Sequence, residues 1–299
     1  RSEGGEADEE VMELMREENR HAEANQAHLA PLREKLYAEM MGHCREADSS
    51  LPTLHPGGYA YFQRTYIGKS YAAHFRLRAL EGGTWGAEEL VLDEDELAVD
   101  PEDGSMRPYA SVSGPHGSPD HSKYAFATDF EGNGSYTLHV AGPRFQGLER
   151  SPLALERTDG SCHWGSQGDC LYYVELDDTF RQGRVKRHVL GQDPTGKADE
   201  TLWEEADKKF SLGLDQSSCS RYLLLTSASA ETAEVRLLDL ASPSAGLRRV
   251  SPRRFKHNYS VDHRGGFLYL LTNKDGATNY KLCRVPVSAL PDVAEAAWE

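Results

Sequence analysis

Two patterns of apolar and polar positions divide the chain. From Asp8 to Cys44 the residues are mostly Glu, Ala, Met and Arg, all good helix formers, with no glycine before Gly42. Asp8 suits a helix N-cap, and Pro31 interrupts the run, so the pattern predicts two helices rather than one. In the second, Leu32, Leu36, Tyr37, Met40 and Met41 follow helical spacing and predict an apolar face that needs a surface to lie on. Pro52, Pro56, Gly57 and Gly58 close the stretch, which makes residues 1–50 a helical extension.

From Tyr59 onward the pattern changes to strands, and it repeats. Short β-type runs begin at Tyr59, Tyr124, Leu171, Tyr222 and Leu268. Each is followed, after a polar loop, by a second run beginning at Ser70, Ser135, Arg184, Ala233 and Asn279. The offset within a pair is 11 residues in four cases and 13 in the remaining one. The later first strands recur at intervals of 47, 51 and 46 residues; the opening interval of 65 holds a polar insertion around Asp93–Asp103. A hairpin recurring at this period predicts an all-β fold, a β-propeller over residues 51–299 with one four-stranded blade per period. Unrelated hairpins would not keep the spacing, and a β-solenoid would need a shorter one. The small-residue stretches Thr158–Ser161, Phe210–Gly213 and Asn258–Val261 are placed as innermost strands, crowded near the axis.

Composition narrows the partners. Of 299 residues 48 are acidic and 33 basic, a formal net charge of −15. That balance argues against nucleic acid or an anionic membrane and suits basic peptides, although simple solubility also accounts for it. No apolar run approaches the ~20 residues of a membrane span, and no signal-peptide pattern opens the chain. The five cysteines are an odd number, widely scattered, and read as free thiols of a reducing compartment, the cytoplasm by default. The chain opens on Arg1 rather than Met and stops at Glu299 in mid-pattern, which is what a chain cut at either end presents.

No catalytic motif is found. The nucleophile elbow G-x-S-x-G is absent; Gly165-Ser-Gln-Gly168 has the wrong glycine spacing and reads as a turn inside a blade. Neither a P-loop nor an H-E-x-x-H helix occurs. Cys162, His163 and Cys170 match no common zinc spacing, so no metal and no cofactor is expected. Asp120, His121 and Ser122 hold the residue types of a hydrolytic triad, but sequence neighbours cannot converge as a triad must. They read as a turn feeding the strand at Tyr124. One charged cluster is a candidate substrate or domain-interface site: Glu175, Asp177 and Asp178, followed by Arg181, Arg184, Lys186 and Arg187. It faces a peptide or a partner domain, or else it is a solvated loop with local ion pairs.

Taken in order, several segments resemble the oligopeptidase B branch of the prolyl oligopeptidase family. They are Glu17–Asp48, GGYAYFQRTYIGKSY (57–71), EELVLDEDELA (88–98), SPDHSKYAFATD (118–129), LYYVELDDTFRQGRVKRHVLG (171–191), AEVRLLDL (233–240) and HNYSVDHRGGFLYLLTN (257–273). The likeness covers nearly the whole chain from about Glu10. It implies a two-domain enzyme: a seven-bladed propeller caps an α/β-hydrolase domain whose Ser, Asp and His cleave short peptides, in this branch after Arg or Lys. It also implies that the opening helices pack on the hydrolase domain and that the propeller admits only small, flexible peptides.

The chain departs from that pattern by ending at about the fourth or fifth blade, and the segment carrying the hydrolase domain is absent. No catalytic residue can therefore be carried over, and the chain alone is expected to be inactive. Ser113–Gly117 stands where the family has an apolar strand, which is expected to weaken that blade. The alternative function is a stand-alone propeller that binds proteins or peptides without catalysis; the amphipathic helix, fitted to a missing domain, argues for the peptidase. Prolyl oligopeptidase proper, with proline specificity, stays open, because the specificity pocket lies in the absent domain.

Overall fold

The computed structural model describes residues 8–142, 153–291 and 298–299. They divide into two compact units, one running to Asp48 and including Thr65–Ile67, the other holding Ser49–Arg64 and Gly68–Glu299.

The first unit is helical. Helix α1 (Glu9–Gln26) starts where the Asp8 side chain accepts the Glu10 N–H, and it ends in a single 3₁₀ turn, Ala27–Leu29. Helix α2 (Ala30–His43) follows with Pro31 in its first turn, where a missing N–H costs nothing. The chain breaks just before Pro31, as its sequence requires. The apolar face of α2 is less clean than its spacing suggests. At about 100° per residue, Leu32 to Met41 spread over roughly half the circumference, and Arg33 falls between Met40 and Tyr37. All five apolar residues are exposed.

The second unit consists of antiparallel blades. The first is β1 (Thr53–His55), β2 (Tyr59–Arg64), β3 (Ala73–Arg78) and β4 (Glu89–Asp93), ordered from the innermost strand outward. The polar insertion after it is not a bare loop. Asp93 caps a short helix, α3 (Glu94–Ala98), which buries Leu97 and Ala98 beside the next blade.

The second blade is β5 (Ser111–Gly117), β6 (Tyr124–Asp129), β7 (Tyr136–Ala141) and the start of β8 (Leu155–Trp164). β8 then continues as the innermost strand of the third blade, with β9 (Cys170–Leu176), β10 (Gln182–Val189) and β11 (Glu200–Glu204). Leu155 and Thr158 pair with β7, and Thr158, Cys162, His163 and Trp164 pair with β9, so two blades share one strand in a continuous seven-stranded sheet. The strand turns at Gly160, where φ is +85° and an added Cβ would lie 3.0 Å from the Tyr136 ring. Glycine is required there.

The fourth blade is β12 (Ser211–Gln216), β13 (Tyr222–Ala228), β14 (Ala233–Asp239) and β15 (Arg248–Arg249). The fifth holds β16 (Tyr259–Arg264), β17 (Phe267–Thr272) and β18 (Lys281–Pro286). Beyond β18, Glu299 exchanges both backbone hydrogen bonds with Arg284, at 2.8 and 3.1 Å. All five hairpins expected from the spacing form, each antiparallel. The segment around Ser113 stays in its blade: β5 pairs with β6 on both sides of an irregularity between Ser113 and His116.

The middle strands explain why the sequence reads as apolar runs rather than alternation. Successive side chains point to opposite faces, and each face meets a neighbouring blade. Leu223 and Leu225 pack towards Tyr172 and Val174 of the third blade, and Tyr222 and Leu224 towards Leu268 and Leu270 of the fifth. Polar groups cross the same interfaces. Arg76 donates to Glu89 at 2.7 Å and to the carbonyl of His121 at 2.8 Å, with its guanidinium over the rings of Tyr59 and Tyr124. The fifth blade has only one face covered among the described residues. Leu271 and Leu282, paired directly across β17 and β18, are 50% and 68% exposed.

Candidate functional site

The innermost strands end at one rim, and a cavity of about 380 Å³ lies among those ends, large enough for a small ligand or a peptide side chain. Its wall comes from the first four blades: His55 at the end of β1, His116 and Gly117 of β5, Cys162, His163 and Trp164 of β8, and Gln216 of β12.

Side-chain hydrogen bonds stitch each blade to the next at this rim. His121, between β5 and β6, donates from Nε2 to the carbonyl of Pro56 at 2.6 Å, and its Nδ1 pairs with the Tyr61 hydroxyl at 2.7 Å. This joins the first blade to the second. The Trp164 indole donates to the carbonyl of His116 at 2.9 Å, joining the second to the third. His163 Nε2 donates to the carbonyl of Leu214 at 3.4 Å, joining the third to the fourth. Between the fourth and fifth, Ser218 N–H donates to Asp262 at 2.9 Å, and Cys219 Sγ lies 3.0 Å from His263 Nδ1.

The cavity favours uncharged imidazoles. Desolvation pushes His163 below the ordinary histidine value, against the hydrogen bond to Leu214 and the nearby Asp215 and Asp159. His116 is open to the cavity, but the concave protein surface replaces much of its water; that desolvation, then the charge of His163, lowers it too. His55 is lowered by burial and by His121. At the rim Asp120 is held far below the usual carboxylate range by the hydroxyls of Ser118 and Ser122. The wall thus offers aromatic surface and neutral donors and acceptors, with negative charge at its edge.

Two of the cavity's three serines are engaged as hydrogen-bond donors: the Ser118 hydroxyl donates to Asp120 and that of Ser166 to the carbonyl of Leu240. Burial pushes the Cys162 thiol up to about 12. Cys162 and Cys170 face different inter-blade cores, and among the described residues no three His, Cys, Asp or Glu side chains converge as metal ligands. Gly165-Ser-Gln-Gly168 is a turn closed by the Gly168 N–H to Gly165 carbonyl bond. Asp120 caps its own turn, as read from the sequence.

The charged cluster read from the sequence lies at the opposite ends of these strands, in and beside the β9–β10 turn. Asp177 and Arg181 are brought together at 2.9 Å, and Asp177 is held far below its ordinary range, chiefly by the Thr179 hydroxyl. Arg181 reaches on to the carbonyls of Phe210 and Glu205. Glu175 is drawn away from them to Arg184 and Lys186, at 3.0 and 3.1 Å. Asp178 alone of the acidic three is fully exposed, with Arg157 beside it at 2.9 Å. These contacts brace one hairpin against the connector to the fourth blade.

Of the cavity histidines, His163 reads from sequence as a candidate metal ligand and His121 as a turn residue, whereas His55 and His116 pass unmarked, although a signal exists. The residues one before the ends of β5, β8, β12 and β16 are His116, His163, Asp215 and His263. Their spacings, 163 − 116 = 47, 215 − 163 = 52 and 263 − 215 = 48, repeat the blade period.

Comparison with known proteins agrees with this architecture. Residues 6–299 match the family described as prolyl oligopeptidase, N-terminal beta-propeller domain. The chain is 30% identical to Protease 2 of Moraxella lacunata over 288 residues, covering 94% of this chain and 40% of that protein. It is 29% identical to dipeptidyl aminopeptidase BI of Pseudoxanthomonas mexicana, covering 94% and 39%. Among solved structures it superposes on oligopeptidase B of Leishmania major with a TM-score of 0.83 at 32% identity, covering 96% of this chain and 40% of that one. Oligopeptidase B of Trypanosoma brucei with covalently bound antipain, in a closed form, gives 0.82 at 31%, covering 100% and 40%. The chain thus spans about two fifths of the length of these relatives. On the blades, their order and this match, the chain belongs to the prolyl oligopeptidase family, as its N-terminal β-propeller.

Proposed function

We propose that the chain is the substrate-gating part of a cytoplasmic serine oligopeptidase of the oligopeptidase B type, which cleaves short peptides after Arg or Lys. An α/β-hydrolase domain, normally on the same chain, supplies the nucleophile and oxyanion hole. The observation that carries the reading is the propeller match over residues 6–299, at about two fifths of the relatives' length. The rim cavity supports a gating role: its neutral imidazoles and aromatic walls can touch a passing peptide without holding it by charge. The net charge of −15 favours the approach of basic peptides. No helix among the described residues is long and apolar enough to cross a membrane.

The test uses fluorogenic peptides carrying Arg, Lys or Pro before the scissile bond. The chain alone is expected to show no turnover above a blank. Joined to the hydrolase domain of an oligopeptidase B, which brings its own specificity pocket, it should leave cleavage of short Arg and Lys peptides intact while excluding folded proteins. Activity of the chain alone that is blocked by a serine-directed covalent inhibitor would overturn the assignment. Unimpeded cleavage of folded proteins by the joined protein would remove the gating role.

A further inference from the structure

The contact between the fourth and fifth blades differs from the others at the rim, because it joins a thiol to an imidazole. Cys219, in the turn between β12 and β13, is exposed, and its Sγ lies 3.0 Å from Nδ1 of His263 near the end of β16. The Ser217 hydroxyl lies 3.3 Å from the same sulfur. Both partners are held from behind. The Asp262 carboxylate accepts the Ser218 N–H and hydroxyl, pinning the cysteine's turn to the histidine's strand. The edge of the Tyr222 ring packs against the imidazole at 4.7 Å between centroids.

We propose that Cys219 and His263 form an activated thiol, a site for exchange with small disulfides at the rim of the cavity. His263 Nδ1 takes the Sγ proton as Sγ attacks one sulfur of a disulfide R–S–S–R. The new Sγ–S bond forms as the S–S bond of the small molecule breaks, and the departing R–S⁻ takes the proton from Nδ1 to leave as R–SH. The cysteine is oxidised and the small disulfide reduced, so no further oxidant is needed. The Ser217 hydroxyl can donate to the sulfur as negative charge develops on it.

The surroundings suit a base rather than a resting ion pair. Around His263 stand Arg221, Asp262 and Asp239; burial, then Arg221, lowers the imidazole below its ordinary value against the two carboxylates. It is therefore unprotonated, and able to accept a proton, at neutral pH. Cys219 lies between Gln216 and Ser220, both of which line the cavity, so the adduct places the group R at the cavity rim.

The test treats the intact chain with oxidised glutathione between pH 6 and 7 and follows each cysteine by peptide mass mapping. Cys44, the other exposed cysteine, is the internal reference; Cys162, Cys170 and Cys283 are buried. Cys219 is expected to gain the adduct at least about fivefold faster than Cys44. The His263→Asn variant should bring the two rates together, and Cys219→Ser should remove the fast phase. Equal rates for Cys219 and Cys44 in the unmodified chain would overturn the proposal without any variant, as would an undiminished Cys219 rate in a folded His263→Asn protein.

Discussion

Removing the carboxylate of Glu205 should destabilise the propeller, and the companion loss of Arg253 should partly restore it. Glu205 is 6% exposed, just beyond the outermost strand of the third blade. Its side chain accepts from Arg253, from the Ser227 hydroxyl and, at 3.0 Å, from the Asp207 N–H. The Arg253 guanidinium lies 3.8 Å from the centroid of Phe210. Breaking one side of a buried pair leaves the other charge uncompensated, at about 3–5 kcal/mol. Arg253 keeps some exposure and a second carboxylate, Glu234, at 3.8 Å, so Glu205→Met should cost about 3 kcal/mol, the lower end of that range. Replacing both residues by Met removes the orphaned charge, and Glu234 still has Arg236 at 2.8 Å. The double variant should therefore be more stable than the sum of the single losses requires, by at least about 1 kcal/mol.

Urea unfolding followed by tryptophan fluorescence measures all four corners of this cycle. Despite its burial, the Glu205 carboxyl is held below its ordinary value of 4.5 by Arg253 and Ser227. A depressed carboxyl stabilises fully above the unfolded value and loses that contribution as pH falls through the folded one. The gap between the native chain and Glu205→Met should therefore close as the pH drops below 4.5. Strict additivity of the two Met substitutions, or a gap that widens in acid, would refute the reasoning.

Three further outcomes follow from the rim and from the fifth blade. Tyr61→Phe leaves His121 Nδ1 without its hydroxyl partner inside the inter-blade contact and should cost about 1–2 kcal/mol, read as a lower urea midpoint. His163 is lowered when folded, so the unfolded chain binds the extra proton first, and the stability present above pH 6.5 is lost as pH falls through the folded value; His163→Gln should flatten that loss in melts at pH 7.5 and 5.5. The chain alone should self-associate through the exposed Leu271–Leu282 pair, and changing both to Lys should lower its scattering mass; an unmodified chain that is a monodisperse monomer at high salt would refute this.

How much was legible in the sequence depends on where a residue sits in its blade. Runs such as Tyr222–Thr226 stand out because a middle strand is covered on both faces, and their near-constant hairpin loops keep the period visible. Among the outermost strands β4 carries such a signal, with Leu90, Val91 and Leu92, but the later ones do not. β11 is polar except for Leu202 and Trp203, and β15 is Arg248 and Arg249, because one side of an outermost strand has no further strand to pair with. Helix α3 was hidden in a polar insertion, since only Leu97 and Ala98 mark its buried side. The rim is the least legible part. Tyr61 and His121 are 60 residues apart, and no local pattern announces their hydrogen bond. The sequence marked the charges of the β9–β10 turn instead, and those charges are engaged mainly with their own hairpin and its connector.

The strand shared by the second and third blades has a mechanical meaning. Elsewhere a connector separates the outermost strand of one blade from the innermost strand of the next, and a connector can lengthen or bend without breaking a ladder. Across β8 there is no such slack, because the segment that closes one blade opens the other. Prying these two blades apart means peeling Leu155–Trp164 from β7 or from β9, one backbone hydrogen bond after another. Motion that widens the path through the inner strands is thereby directed to the interfaces on either side, before β5 and after β11. The second and third blades behave as one plate hinged at its edges, and their amides should exchange with solvent as a single unit.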